Sequence, residues 1–131
     1  IKKNILKNFE NKIFNLHGGD PQEYRGLDSH YWSIYHNNYK LSTCLHKLNS
    51  KLDDGNIIFL DNLKIKKKTK IHQLRFINTI KCIEISIKLM KMLINKNKIK
   101  SKKQKSLGRY YSFMPSVIKR IIEKKFNDNF K

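Results

Sequence analysis

The chain has 131 residues, 29 of them Lys or Arg against 10 Asp or Glu, for a formal charge of +19; that suffices for one modest core, so it is one domain or part of one. The longest apolar-rich stretch, Ile71 to Ile94, is interrupted by Arg75, Lys81, Glu84, Lys88 and Lys91, which excludes a lipid-spanning helix. Nothing resembles a signal peptide, and Cys44 and Cys82 lack metal-ligand or CxxC spacing, so they read as reduced thiols in a cytoplasmic protein.

A basic balance of this size invites a nucleic-acid reading, because lysine clusters neutralise phosphates. Arginine, the type suited to bidentate phosphate contacts, is confined to Arg25, Arg75, Arg109 and Arg120. Isoleucine and asparagine are in excess together with lysine, the mark of AT-rich codon drift. The charge therefore reads chiefly as a solvated surface that still steers anionic substrates inward.

In chain order, Lys2 to Asn11 reads as a short basic helix or its tail, and Lys12 to Leu16 as a buried strand built on Ile13, Phe14 and Leu16. The strand runs into His17-Gly18-Gly19-Asp20-Pro21, whose Gly-Gly and Asp-Pro pairs break regular structure. Asp28 or Ser29 can cap a helix from Ser29 to about His36, ended by Asn37-Asn38. Leu41 to Leu48 and Asn56 to Leu60 read as strands around a turn-rich segment, Asn49 to Gly55. Leu63 and Ile65 alternate with lysines, as on an edge strand.

Ile71, Leu74, Ile77, Ile80, Ile83, Ile87, Met90 and Ile94 recur at spacings of three and four, predicting a long helix with one apolar stripe and Thr69 as its cap. Lys96 to Lys105 is a low-complexity lysine run expected to be a flexible connector. After the aromatic segment Gly108 to Met114, Pro115 opens a last helix with Val117, Ile118, Ile121, Ile122 and Phe126 on its buried face. Strand, helix, two or three strands, helix, helix is an α/β pattern, expected to be the second half of a larger sheet domain. The start at Ile1 rather than Met fits a fragment.

Alternation along Phe14-Asn15-Leu16-His17 aims Asn15 and His17 at one face, if strand geometry persists through His17. The loop that follows leaves that face open at the sheet's carboxyl edge, where α/β proteins bind ligands. Asp53-Asp54 sits on another loop before a strand. If the two loops meet, an amide, an imidazole and a carboxylate converge. Such a trio suits acyl transfer to an amine. Asn15 can donate to the developing oxyanion, His17 can donate to it or take up the amine proton, and Asp53 can orient and stabilise the imidazole. Each role contributes about a hundredfold to a thousandfold.

Asn15-Leu16-His17, then Tyr24-Arg25-Gly26 after a proline-containing loop, then Leu52-Asp53-Asp54-Gly55 resembles the signature of the folate-dependent formyltransferases, those of amino sugars and of methionyl-tRNA included. The match runs from about Ile13 to Ile58. The helix bearing Trp32 and the strand from Leu41 also fall where the family has them. The resemblance implies Asn15, His17 and Asp53 as catalytic amide, imidazole and carboxylate, and Tyr24, Arg25 and Gly26 read either as shaping the acceptor pocket or as a structural turn. It implies the carboxyl-terminal half of a Rossmann-like domain, a mixed sheet with flanking helices that lacks its amino-terminal half and much of its folate wall. Residues 1–95 then form a partial catalytic core, 96–108 a lysine-rich connector, and 109–131 an aromatic segment and helix. Pro21 lies one position earlier than the family's usual proline, and Ser42, Asp54 and Asn56 replace a glycine, a small residue and an acid.

The resemblance implies 10-formyltetrahydrofolate as the donor, which supplies the activated carbon of one-carbon metabolism without a metal. Acceptors known in the family are a nucleotide-linked amino sugar, methionyl-tRNA, glycinamide ribonucleotide and water. Few strand signals follow Asp53, where the tRNA enzymes carry a β-barrel, so the amino sugar nucleotide is preferred and tRNA is the alternative. No membrane partner is expected, and a homodimer is admitted. Two rivals stand outside this reading: a basic nucleic-acid-binding module around Lys96 to Lys105, and an inactive fragment with an unpaired sheet edge. His30, His36, His46 and His72 show no ligand grouping and read as surface or core positions. Tyr31, Trp32 and Tyr35 read as packing, and Arg109-Tyr110-Tyr111 as packing or a sugar or nucleotide contact.

Overall fold

A computed structural model of the chain describes residues 3–9 and 12–130. The basic amino-terminal helix is present as α1, Lys3–Asn8; Lys2, Glu10 and Asn11, part of the segment read as helical, lie outside the described residues. Three strands make the main sheet: β1 (Phe14–His17), β3 (Leu41–Lys47) and β4 (Ile57–Leu63), with β2 (Tyr24–Gly26) and α2 (Ser29–Tyr35) between the first two. Its order is β1-β3-β4, antiparallel throughout. β2 pairs in parallel with β5 (Arg109–Tyr111) in a separate two-stranded sheet. Helices α3 (Gln73–Ile94) and α4 (Ser116–Asn129) complete a mixed α/β fold. Among the described residues no helix is long and apolar enough to cross a membrane.

The central strand β3 is buried from Leu41 through His46. Strand alternation turns Leu41, Thr43 and Leu45 to one face, toward the helices. Leu41 joins Ile34, Ile71, Leu74, Met114, Ile122 and Phe126 in one core cluster, and Leu45 joins Ile85 and Leu89 of α3 in a second. Ser42, Cys44 and His46 face the other way. Paired residues across a ladder share a face, so Asn15 opposite His46 and His17 opposite Cys44 stand on this second face.

Several expectations shift in detail. β1 extends through His17, one residue past the predicted Leu16, which is what puts Asn15 and His17 on the same side. Leu63 ends β4 rather than forming a separate edge strand, and Ile65 lies beyond it, packed on the first core cluster. Helix α3 begins at Gln73 with His72 in the capping position; the Lys70 N–H is held by the Gln73 side chain at 2.7 Å, and Thr69 is not the cap. Asp28 precedes α2 at φ 54° but makes no capping bond. Its buried carboxylate instead takes Lys119 at 2.7 Å, Arg75 at 3.1 Å and the Met114 N–H at 3.1 Å, so it ties α2, α3 and α4 together. Burial would raise this carboxyl, but the Lys119 and Met114 donors outweigh it and hold it below its ordinary value.

The long helix has two apolar faces, not one stripe. Leu74, Asn78, Ile85 and Leu89 are buried, whereas Ile80, Ile83, Ile87, Met90 and Ile94 of the expected stripe are exposed, Ile94 by 75%. Isoleucine recurs so often here that periodicity admits more than one buried face. Asn78 decides between them. Its Nδ2 donates to the Ser42 carbonyl at 2.7 Å and its Oδ1 accepts from Thr43 Oγ1 at 3.1 Å, which fastens this face of the helix to β3. On α4, Ile122 and Phe126 are buried and Ile118 packs beside them, while Val117 and Ile121 face outward.

The lysine run is not a free connector. Ile57 and Lys102 exchange both backbone hydrogen bonds at 2.8 Å, and Ile99 packs on the second core cluster. Low complexity hid this because the contacts are made largely by backbone groups, which every residue carries.

Candidate functional site

The two loops do meet. Asn15 and His17 project from β1, and the chain after β3 turns back so that Asp53 reaches the same face. Asp53 is buried and held at φ 49°, in the left-handed region that aspartate tolerates. The turn depends on Gly55, where an added Cβ would lie 1.5 Å from the Lys47 carbonyl oxygen. At Gly26, φ +90° and a Tyr111 oxygen 2.2 Å from any Cβ likewise demand glycine. That close approach brings the Gly26 N–H to Asp53 Oδ2 at 2.9 Å.

Asn15 Nδ2 donates to Asp53 Oδ1 at 3.1 Å and lies 3.2 Å from His46 Nε2. His46 Nδ1 is 2.9 Å from the Lys47 carbonyl, which can only accept. The network therefore assigns the proton to Nδ1 and leaves Nε2 to accept from Asn15. Both Nδ2 hydrogens of Asn15 are engaged inside this cluster. His17 Nε2 donates to the Tyr24 carbonyl at 2.8 Å. In the neutral ring Nδ1 is then bare, and it faces Asp53 Oδ2 at 3.7 Å. A proton arriving at Nδ1 would convert that approach into an ion pair. Burial alone would raise the Asp53 carboxyl, but His46 when its ring is protonated, the Gly26 N–H and His17 when protonated outweigh it and hold it below its ordinary value.

Tyr24, Arg25 and Gly26 form β2 rather than a bare turn. Arg25 Nε donates to the Gly108 carbonyl and its Nη1 to the Leu52 carbonyl at 3.3 Å, so its guanidinium spans the loops beside the cluster. Tyr24 supplies the carbonyl that holds His17, and its ring stacks on His36 at 6.1 Å between centroids. Of Arg109, Tyr110 and Tyr111, which form β5, Tyr111 stacks on Trp32 at 4.8 Å and bonds His36 Nε2 at 2.9 Å. Tyr110 is exposed.

His46 is the member of the cluster that sequence reasoning missed. It is 1% exposed, with Nε2 also 3.6 Å from Asp53 Oδ1. A lone histidine in an apolar strand reads as a core residue. The signal that could have found it is the β1–β3 register, which sets it opposite Asn15. Cys44, on the same face, is pushed by burial to about 12 and is an inert thiol.

A family model described as formyl transferase matches residues 1–78 of the chain. A methionyl-tRNA formyltransferase of Rickettsia prowazekii is 27% identical over 113 residues, covering 86% of this chain and 36% of its own length. Among solved structures, the formyltransferase PseJ from Anoxybacillus kamchatkensis, in complex with UDP-4,6-dideoxy-4-formamido-L-AltNAc and tetrahydrofolate, superposes with a TM-score of 0.76 at 21% identity, covering 86% of this chain and 59% of that one. WlaRD, a sugar 3N-formyltransferase solved with dTDP and 5-N-formyltetrahydrofolate, gives a TM-score of 0.69 at 25% identity, over 78% of this chain and 37% of that one. The chain thus spans between 36% and 59% of the length of these proteins, less than two thirds of each.

Proposed function

The chain belongs to the formyl transferase family, and from that premise we propose that it moves a formyl group from 10-formyltetrahydrofolate to a primary amine, with a nucleotide-linked amino sugar as the acceptor. The observation that carries the reading is the convergence of Asn15, His17 and Asp53 on one face, with Asp53 Oδ2 3.7 Å from His17 Nδ1. The donor set fits such a formyl carrier: an amide N–H for the carbonyl oxygen and a proton acceptor for the attacking nitrogen. The folate supplies the formyl unit in activated, amide-like form.

In this reading Asn15 releases one Nδ2 hydrogen, the one facing His46, to the formyl oxygen as negative charge grows there. His17 takes up the amine proton, Asp53 stabilises the imidazolium, and the proton is later returned to the departing nitrogen. The new bond joins the amine nitrogen to the formyl carbon and the old carbon–nitrogen bond breaks, with one proton passed through His17. Tyr24, Arg25 and Gly26 act indirectly, by holding His17 and Asp53 in place and walling the acceptor side.

Support for a sugar nucleotide comes from the likeness in fold to PseJ and WlaRD, both solved with nucleotide or nucleotide-sugar ligands. Transfer to methionyl-tRNA is the second reading, favoured by the names of the curated relatives and compatible with the +19 charge. An acceptor panel separates the two. UDP- and dTDP-linked amino sugars and methionyl-tRNA are offered with 10-formyltetrahydrofolate, and products are weighed. Mass gain of one formyl group on a sugar nucleotide is expected; gain on the tRNA alone would replace the preferred acceptor.

A further inference from the structure

Outside the cluster, the half-buried side chain of Gln104 stands out. Its Nε2 donates to two carbonyls of the acidic loop, Asp53 at 2.8 Å and Gly55 at 3.0 Å, across 51 and 49 residues of chain. Carbonyls only accept, so the amide's orientation is set by these two bonds. Among the described residues its buried Oε1 has no hydrogen-bond partner.

The surrounding strap explains how a side chain so far along the sequence is held. Two residues earlier, Lys102 is bridged to Ile57. One residue later the Lys105 N–H is bound by Gln22 Oε1 at 2.9 Å, Ser106 Oγ donates to the Gln22 carbonyl at 3.1 Å, and the Gly108 N–H to the Pro21 carbonyl at 3.1 Å. Residues 102–108 therefore cross both loops that build the site, the one after His17 and the one bearing Asp53. Asp53 occupies a left-handed backbone position in a turn whose neighbours Lys51 and Leu52 are exposed. Without the two bonds from Gln104, the carbonyls on either side of Asp54 lose the anchor that fixes the direction of the Asp53 side chain.

We propose that Gln104 is a positioning residue: by clamping the Asp53 and Gly55 carbonyls it sets the carboxylate against Asn15, His17 and the Gly26 N–H. Its catalytic meaning rests on the formyl-transfer reading, but the placement of Asp53 does not, and the two are tested apart. Gln104→Ala removes both bonds; Gln104→Glu keeps the size and removes the donors; Lys103→Ala is the control on the same strap. Each is read first by NMR, through hydrogen exchange of the Gly26 amide and the imidazole signals of His17 and His46, with circular dichroism reporting the fold.

Both Gln104 variants are expected to keep the wild-type dichroism, to speed Gly26 exchange at least about tenfold and to move both histidine signals, while Lys103→Ala changes neither. In turnover, kcat should fall by about a hundredfold with little change in KM, the scale of a small misplacement of a reacting group. Unchanged Gly26 and histidine signals in a folded Gln104→Glu protein would overturn the proposal. Shifted signals in a protein whose wild type transfers no formyl group would leave the positioning role standing and remove the formyl-transfer reading instead.

Discussion

His30 sits in α2 beside the ionised Asp28, yet burial dominates and lowers its imidazole from the ordinary 6.5 to about 4. Among the described residues its Nε2 has no hydrogen-bond partner. Between those two values the unfolded chain binds a proton at this position and the folded chain does not, so its contribution to stability is present above pH 6.5 and lost as the pH falls toward 4. Replacing His30 with Gln should flatten the fall in thermal midpoint over that window, measured by dichroism at half-unit steps; an unchanged slope would show that His30 is not the responsible group. At this scale the shared face of Asn15 and His17 was legible in strand alternation, while their meeting with Asp53 was implied by the family resemblance and by no local signal. His46, Asn78 and Gln104 were not legible, because each acts through a partner dozens of residues away.

Elements follow the same division. Strand β1 and helix α2 carry local signals, a run of apolar residues ended by Gly-Gly and a polar start ended by Asn-Asn; α2 appears within a residue of where it was expected, and β1 starts two residues later and ends one later. The three-residue strands β2 and β5 have no period to detect, and their parallel pairing joins Tyr24 to Arg109. Helix α3 was legible as a helix and misread in its facing, since isoleucine lines more than one side. A paired substitution tests the observed facing. Ile83→Glu with Ile87→Glu should leave the thermal midpoint near wild type, because both side chains are about half exposed. Leu89→Ala should cost about 2–5 kcal/mol, the range for truncating a core leucine. The reverse ranking in thermal melts would place the stripe, not Leu89, against the sheet.

For the molecule as a whole, the motif Asn15-x-His17 with Asp53 conveyed more than the composition did. Composition offered a +19 charge with several explanations, whereas three spaced residues pointed to one family and one reaction class. The contacts that tie the carboxyl-terminal third to the rest of the fold, from Lys102 to Gly108 and from Lys119 to Asp28, rest on backbone groups, on the Gln104 amide and on a lysine among many lysines. No sequence pattern distinguishes that lysine from its neighbours. Asp53 is the point where these long-range contacts and the proposed chemistry coincide.

The most direct test is therefore turnover of the His17→Ala and Asp53→Ala variants with 10-formyltetrahydrofolate and the accepted amine, beside wild type and Lys103→Ala, with dichroism as the fold control. Formylated product from wild type and Lys103→Ala, and a loss of about a hundredfold or more in both site variants with dichroism unchanged, is the predicted result. Normal turnover by folded His17→Ala protein would contradict the account.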